Sequence, residues 1–211
     1  MAIIELKEIC KNYGNHVVLD KFTLEINEGD YVSITGPSGK GKTTILNIIG
    51  LLDVPSSGSV IICGHRNLKF SSRAAVNIRR NNLSYLFQNY GLIDTDTVEE
   101  NMNISLRFKK IRKSEKRELI SNALCQVGLV GYEKRKIYTL SGGEQQRVAL
   151  AKIIVKSPKI ILADEPTGSL DEVNRDYVLK VLEKFNKEGK TVIVVTHDSC
   201  VASCAKRHIC L

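Results

Sequence analysis

Phe22, Leu24 and Ile26 alternate with Thr23, Glu25 and Asn27. A repeat of two sends alternate side chains to opposite faces, so this segment predicts a half-buried β-strand. Ala2–Ile9 and Val17–Leu19 predict further short strands, which gives an antiparallel β portion near the N-terminus. Glu28-Gly29-Asp30 then turns the chain into a strand over Tyr31–Thr35, and a helix follows over Thr44–Ile49. Ser59–Cys63 and Leu83–Phe87 predict two more strands, with a basic helical segment over Ser72–Arg80 between them. Two short runs, Ile160–Ala163 and Thr191–Val195, are almost wholly apolar, as strands buried on both faces of a parallel sheet are. Between them a helix over Val173–Phe185 carries Val178, Val181, Leu182 and Phe185 on one face. Strand, helix and strand in that order predict a right-handed crossover and an α/β fold.

The middle of the chain changes character. From about Val98 to Val127 it is charged and free of proline, with dense mixed charge over Lys109–Glu118. Leu119, Ile120, Leu124 and Val127 supply an apolar helical stripe, so the segment is expected to be an inserted helical subdomain and not a linker.

A length of 211 residues suits one domain with a subdomain, and 43% hydrophobic and 26% charged residues are ordinary for a soluble globular protein. The best uncharged apolar run, Thr43–Leu52, is too short to span a membrane and contains Asn47. Met1–Glu5 shows no basic region followed by an apolar stretch, so the chain is expected to stay in the cytoplasm. The formal net charge of +8 is compatible with nucleic acid or an anionic membrane surface. Its concentrations at Arg107–Arg117 and Lys134–Lys136 lack interleaved stacking aromatics, which favours a solvated face with some attraction to anionic lipid. Six cysteines contain no CxxC pair and are expected to be reduced thiols. His197, Cys200, Cys204 and His208 have spacings that a zinc site could use. The competing expectation sets Cys200 and Cys204 on one helix, with Cys204 packed inward and His208 opening a new strand.

Gly36-Pro37-Ser38-Gly39-Lys40-Gly41-Lys42-Thr43 fits G-x-x-x-x-G-K-[ST] at every fixed position. Its glycines let successive N–H groups point inward at a phosphate chain, which would sit on the positive end of the helix containing Thr44. Lys42 can reach the β- and γ-phosphates of ATP, and the Thr43 hydroxyl can ligate Mg²⁺. Asp164 ends an apolar strand, where a carboxylate that holds Mg²⁺ belongs in such an ATPase. Its neighbour Glu165 is the natural base for an attacking water. Ser141, Gly142, Gly143 and Glu144 open the helix that runs through Val148 and Ile154, making a second anion-binding helix start. Two copies related by a twofold axis could therefore close two sites, each built from one copy's phosphate loop and the other's Ser141–Gly143.

Together these motifs resemble the nucleotide-binding subunits of ABC transporters over essentially the whole chain, and most of all the group with the MacB-type and LolD-type ATPases. The resemblance implies a P-loop core with a mixed parallel sheet and an antiparallel β subdomain over residues 1–88 and 156–211. It implies a helical subdomain over about 89–155. It makes Gln88 a glutamine that senses Mg²⁺ and contacts the membrane partner, Tyr13 the aromatic stacked on adenine, and His197 a contact of the γ-phosphate. Glu165, His197, Lys42 and Gln88 are then the catalytic set, and Thr43, Gln88 and Asp164 the metal set. Ser169-Leu170-Asp171 would act across the dimer with the Ser141–Glu144 stretch. The implied partners are a second ATPase subunit and an integral membrane permease on the inner face of the cell membrane, with room for a periplasmic or extracellular adaptor. Peptide or antimicrobial export is the implied task. A cell-division or regulatory ATPase, or one acting on nucleic acid or ribosomes, is the alternative; a single phosphate loop and no heptad run speak against the last. Lys40 and Lys152 depart from the usual pattern, and the end at Leu211 implies that the short closing strand and tail are missing.

Overall fold

The computed structural model describes residues 1–168 and 170–211. The chain opens with a hairpin of β1 (Ala2–Tyr13) and β2 (His16–Asn27), then runs through β3 (Tyr31–Thr35) into α1 (Lys42–Ile49). β4 (Ser57–Ile62), β5 (His65–Arg66), α2 (Arg73–Asn81) and β6 (Leu83–Leu86) follow. Next come α3 (Val98–Leu106), α4 (Lys113–Gln126) and α5 (Gly142–Lys156). The chain closes with β7 (Ile160–Asp164), α6 (Glu172–Lys187), β8 (Thr191–Val195), α7 (Ser199–Ser203) and β9 (Arg207–Cys210).

Two sheets result. One has the order β2-β1-β4-β5 with antiparallel pairing, and the other the order β6-β7-β8-β3-β9 with parallel pairing throughout. The two kinds of pairing are thus segregated and not mixed within the core sheet. Period-two alternation along β7 shows how the layers are joined. Ile161 and Ala163 pack with α5 and α6, while Ile160 and Leu162 face α1 and the antiparallel sheet. A strand buried on both faces has no polar side to offer, which is why its sequence is apolar throughout.

The hairpin is longer than the alternation predicts. β1 and β2 are twelve residues each, and their pairing shifts register four times. Left-handed Glu8 (φ 48°) and Lys21 (φ 46°) lie within these strands, and such bulges interrupt the period that marks a strand in sequence. The strand expected to open at His208 is present as β9, which begins one residue earlier and pairs parallel with β3 from Val32↔Arg207 to Thr35↔Cys210. Leu119 is exposed, and the stripe of α4 is instead Ile120, Ala123 and Leu124, continued by Val127. Cys204 is also exposed rather than packed inward: α7 ends at Ser203, before the cysteine can turn into the core.

Candidate functional site

β3 delivers the chain to a loop that only glycine can follow at three points. Gly36, Gly39 and Gly41 have φ of 143°, 78° and 89°. At Gly41 a Cβ would also stand 2.8–2.9 Å from side-chain atoms of Leu19 and Val18. Gly41 ends the loop as the N-cap of α1 and offers no capping side chain, so that helix start is open to an anion. Lys42 curls back over the loop, its Nζ donating to the carbonyls of Gly36 and Pro37 at 2.8 Å each.

A cavity of about 510 Å³ gathers much of the expected site. Ser38, Gly39 and Gly41–Thr44 form one wall; Gln88, Asp164, Glu165 and His197 form the other. Gly36 and Pro37 contribute through their carbonyls to Lys42, while Lys40 is exposed. Asp164 ends β7 half-buried, and Thr43 Oγ1 donates to its Oδ1 at 3.3 Å. Burial raises the Asp164 carboxyl above the usual range, with Glu165 adding to the rise and Thr43 and Lys42 opposing it. A hydroxyl, a carboxylate and the Gln88 amide are hard oxygen donors on one cavity, a set that fits Mg²⁺.

Glu165 follows in the left-handed region at φ 45°, a conformation that costs a non-glycine residue and is held here on three sides. Its N–H donates to the Val195 carbonyl at 2.9 Å, Thr196 Oγ1 reaches its Oε2 at 3.3 Å, and His197 Nδ1 lies 2.9 Å from its Oε1. The carboxylate is mostly shielded, whereas the His197 ring is open to solvent.

Ser141 and its neighbours lie apart from this cavity. Ser141 caps α5: its Oγ accepts from Glu144 N at 3.3 Å, and Glu144 Oε2 accepts from Ser141 N at 2.8 Å. Tyr132 donates to the other Glu144 oxygen at 2.8 Å. The Ser141 N–H chiefly, with Tyr132, the Ser141 hydroxyl and Arg135, holds the Glu144 carboxyl below its usual range. This reciprocal capping box leaves the Gly142 and Gly143 N–H groups without a protein acceptor among the described residues. Asp171 caps α6 in a similar way, accepting from Asn174 N at 2.8 Å. Ser169 lies outside the described residues.

Tyr13 ends β1, half-exposed, and is not among the cavity walls. Its hydroxyl donates to Asp53 Oδ2 at 2.6 Å, and Lys11 Nζ stands 4.7 Å from the ring centre. The hairpin instead brings His16 and Val18 to the cavity, two residues with no motif to mark them. The tight turn at Gly14 (φ 58°) was the available signal, because it folds β2 back toward the phosphate loop. His197 and His208 of the alternative zinc set have separate partners, since His208 Nδ1 lies 2.8 Å from Ser33 Oγ.

A second, smaller cavity of about 220 Å³ lies between the β6 end and α5. Phe87 and Tyr90 line it, with Phe87 stacked on Tyr85 at 4.2 Å. Lys152 and Lys156 close it; Lys152 Nζ donates to the Gly91 carbonyl and Lys156 Nζ to that of Arg79.

The sequence pattern of the family described as ABC transporter matches residues 19–168. The macrolide export ATP-binding/permease protein MacB of Campylobacter jejuni is 38% identical over 207 residues, 98% of this chain and 32% of that protein. The ABC transporter ATP-binding protein YknY of Bacillus subtilis is 38% identical over 209 residues, 97% of this chain and 91% of that protein. The dimeric structure of the ABC transporter cassette MJ0796 superposes with a TM-score of 0.90 at 41% identity, covering 99% of this chain and 94% of that one. A post-hydrolysis dimer of the same cassette, bound to ADP and Pi, superposes equally well at 39% identity. The chain spans about a third of the length of the MacB proteins it matches.

Proposed function

The chain belongs to the ABC transporter family, and on that footing we propose that two copies of it close around ATP and drive an integral membrane permease. One observation carries the reading. The cavity within a single copy gathers phosphate-loop donors, an Mg²⁺-competent pair and a shielded carboxylate, while the Ser141 helix start lies elsewhere with two amides that have no protein acceptor among the described residues. Two copies facing each other would bring that helix start over the open side of the cavity. The dimeric MJ0796 cassette supports this arrangement.

Each residue then has a definable task. Lys42 exchanges its bonds to the Gly36 and Pro37 carbonyls for phosphate oxygens, while the loop amides and the start of α1 hold the rest of the chain of phosphates. Thr43, Asp164 and Gln88 would hold Mg²⁺, which when bound would supply charge neutralisation on the phosphate oxygens. Glu165 orients a water and accepts its proton as the water attacks the γ-phosphorus and ADP leaves. Thr196 and His197 fix the carboxylate from both oxygens, and the exposed His197 ring is free to turn to the γ-phosphate. Tyr13 would stack on adenine, its ring half-exposed at the end of β1. Closure with ATP and reopening after hydrolysis would pass to the permease as rigid-body motion.

Residues of about 89–155 form the helical subdomain in this reading, and the groove lined by Phe87 and Tyr90 seats a short helix of the permease. No helix among the described residues is long and apolar enough to cross a membrane. The relatives named for macrolide export support an antimicrobial cargo, and a peptide cargo is the other half of this reading. Glu165→Gln tests the chemistry: it keeps shape and hydrogen bonding but removes the base, and hydrolysis should fall about 10²–10⁴-fold with ATP binding retained. Near-normal turnover in that variant would overturn the assignment.

A further inference from the structure

The start of α5 meets the start of α6 and the Pro166 turn before it along a line of contacts that phosphate binding does not explain. On α5 the line is Gly143, Gln146 and Arg147, spaced i, i+3 and i+4 and so on one face. Gln146, fully buried, donates from Nε2 to the Pro166 carbonyl at 2.7 Å. Arg147 Nη1 donates to Asn174 Oδ1 at 2.8 Å. A Cβ added to Gly143 would stand 2.6–2.8 Å from the Oδ1, Cγ and Nδ2 of Asn174. Only glycine lets the start of α5 come down onto that amide.

The other end of the same amide faces Asp171. Asn174 Nδ2 lies 3.0 and 2.9 Å from the two Asp171 carboxylate oxygens, and Asn174 N donates to Oδ1 at 2.8 Å. Arginine can only donate and a carboxylate only accept, so an amide, with one acceptor end and one donor end, matches both neighbours at once. Gly143 stands two residues from Ser141, and Asp171 is the cap of α6.

We propose that Asn174 is a positioning residue for the shared ATP site: its amide clamps the Ser141–Gly143 turn to Asp171, so the two elements offered to a second copy move as one body. The inference rests on the two-copy reading above. Asn174 itself touches neither the phosphate-loop cavity nor its walls. Its effect therefore falls on closure and not on the first binding of ATP.

Two replacements of nearly equal size separate a clamp from ordinary packing. Asn174→Leu removes both polar ends. Asn174→Asp keeps an acceptor for Arg147 but sets a carboxylate against Asp171, where like charges repel. Each is placed in the Glu165→Gln background, and light scattering follows dimer formation as ATP is raised, beside ATP binding by the dilute protomer. The clamp predicts protomer affinity within about twofold of the parent, and an ATP concentration for half-dimerisation raised about tenfold or more, in line with the loss of charge-assisted hydrogen bonds. Asn174→Asp should do no better than Asn174→Leu. A parent that dimerises, with Asn174→Leu dimerising at the same ATP concentration, overturns the inference alone. Normal dimerisation of Asn174→Asp overturns it too, because contact with Arg147 would then suffice. A parent that stays monomeric at saturating ATP overturns the two-copy reading and this inference with it.

Discussion

The phosphate-loop cavity and the Ser141 helix start both offer backbone N–H groups at a helix N-terminus, yet they are finished to different degrees. Around Lys42 the polar groups are arranged about a space: Lys42 is parked on two carbonyls, Thr43 and Asp164 meet at 3.3 Å, and Glu165 is braced from both oxygens. Around Ser141 they are arranged about each other. Ser141, Glu144 and Tyr132 satisfy one another, and the same holds for Asp171, Asn174 and Arg147. One region is a receptacle and the other a rigid surface. A receptacle must exchange internal bonds for ligand bonds, as Lys42 would. A surface gains from having no internal freedom to lose when it meets a partner.

Lys42→Ala breaks that comparison at the receptacle. It removes a charged donor from the phosphates of its own copy, so ATP affinity of the dilute protomer should fall about ten- to a hundredfold in an equilibrium titration. Unchanged protomer affinity would mean that the amides and Mg²⁺ alone carry binding.

A smaller effect sharpens the comparison by locating strain in neither region but in the groove between the β6 end and α5. Burial chiefly, with repulsion from Lys152, pushes the Lys156 ammonium down to about 8 from the ordinary lysine value of 10.5. Below pH 8 the lysine is charged in the folded and unfolded chain alike, and the burial penalty is present in full. Between about pH 8 and 10.5 the unfolded chain holds the extra proton, so this group's contribution to stability rises with pH. The urea midpoint of the native protein should therefore gain on that of Lys156→Met between pH 7 and pH 10. A pH-independent difference would contradict the assignment of burial as the cause.

The sequence made the receptacle far more legible than the surface. Gly36–Thr43 is a contiguous motif whose mechanics are local, and the apolar runs of β7 and β8 carry Asp164 and His197 at their ends, so strand and chemistry are read together. His16 and Val18 escaped because a hairpin delivers them from a distance, and bulges at Glu8 and Lys21 hide the length of that hairpin from an alternation count. Leu119 was drawn into the stripe of α4 by its hydrophobicity, although the helix turns it outward. At the surface, Ser141 and Glu144 could be found as a capping pair three residues apart. Asn174 could not, since a single asparagine gains meaning only when two helix starts bring Arg147 and Asp171 to either end of its amide.

The central claim is that receptacle and surface from different copies complete one ATP site. Light scattering of Glu165→Gln with saturating ATP and Mg²⁺, beside the same protein carrying Ser141→Arg, tests it most directly. The account predicts that Glu165→Gln doubles its mass on adding ATP. It predicts that the Ser141→Arg derivative binds ATP as tightly in the dilute protomer but keeps the protomer mass, because a bulky cation at the start of α5 blocks closure. Equal dimerisation of the two proteins, or equal loss of protomer affinity in Ser141→Arg and Lys42→Ala, would contradict it.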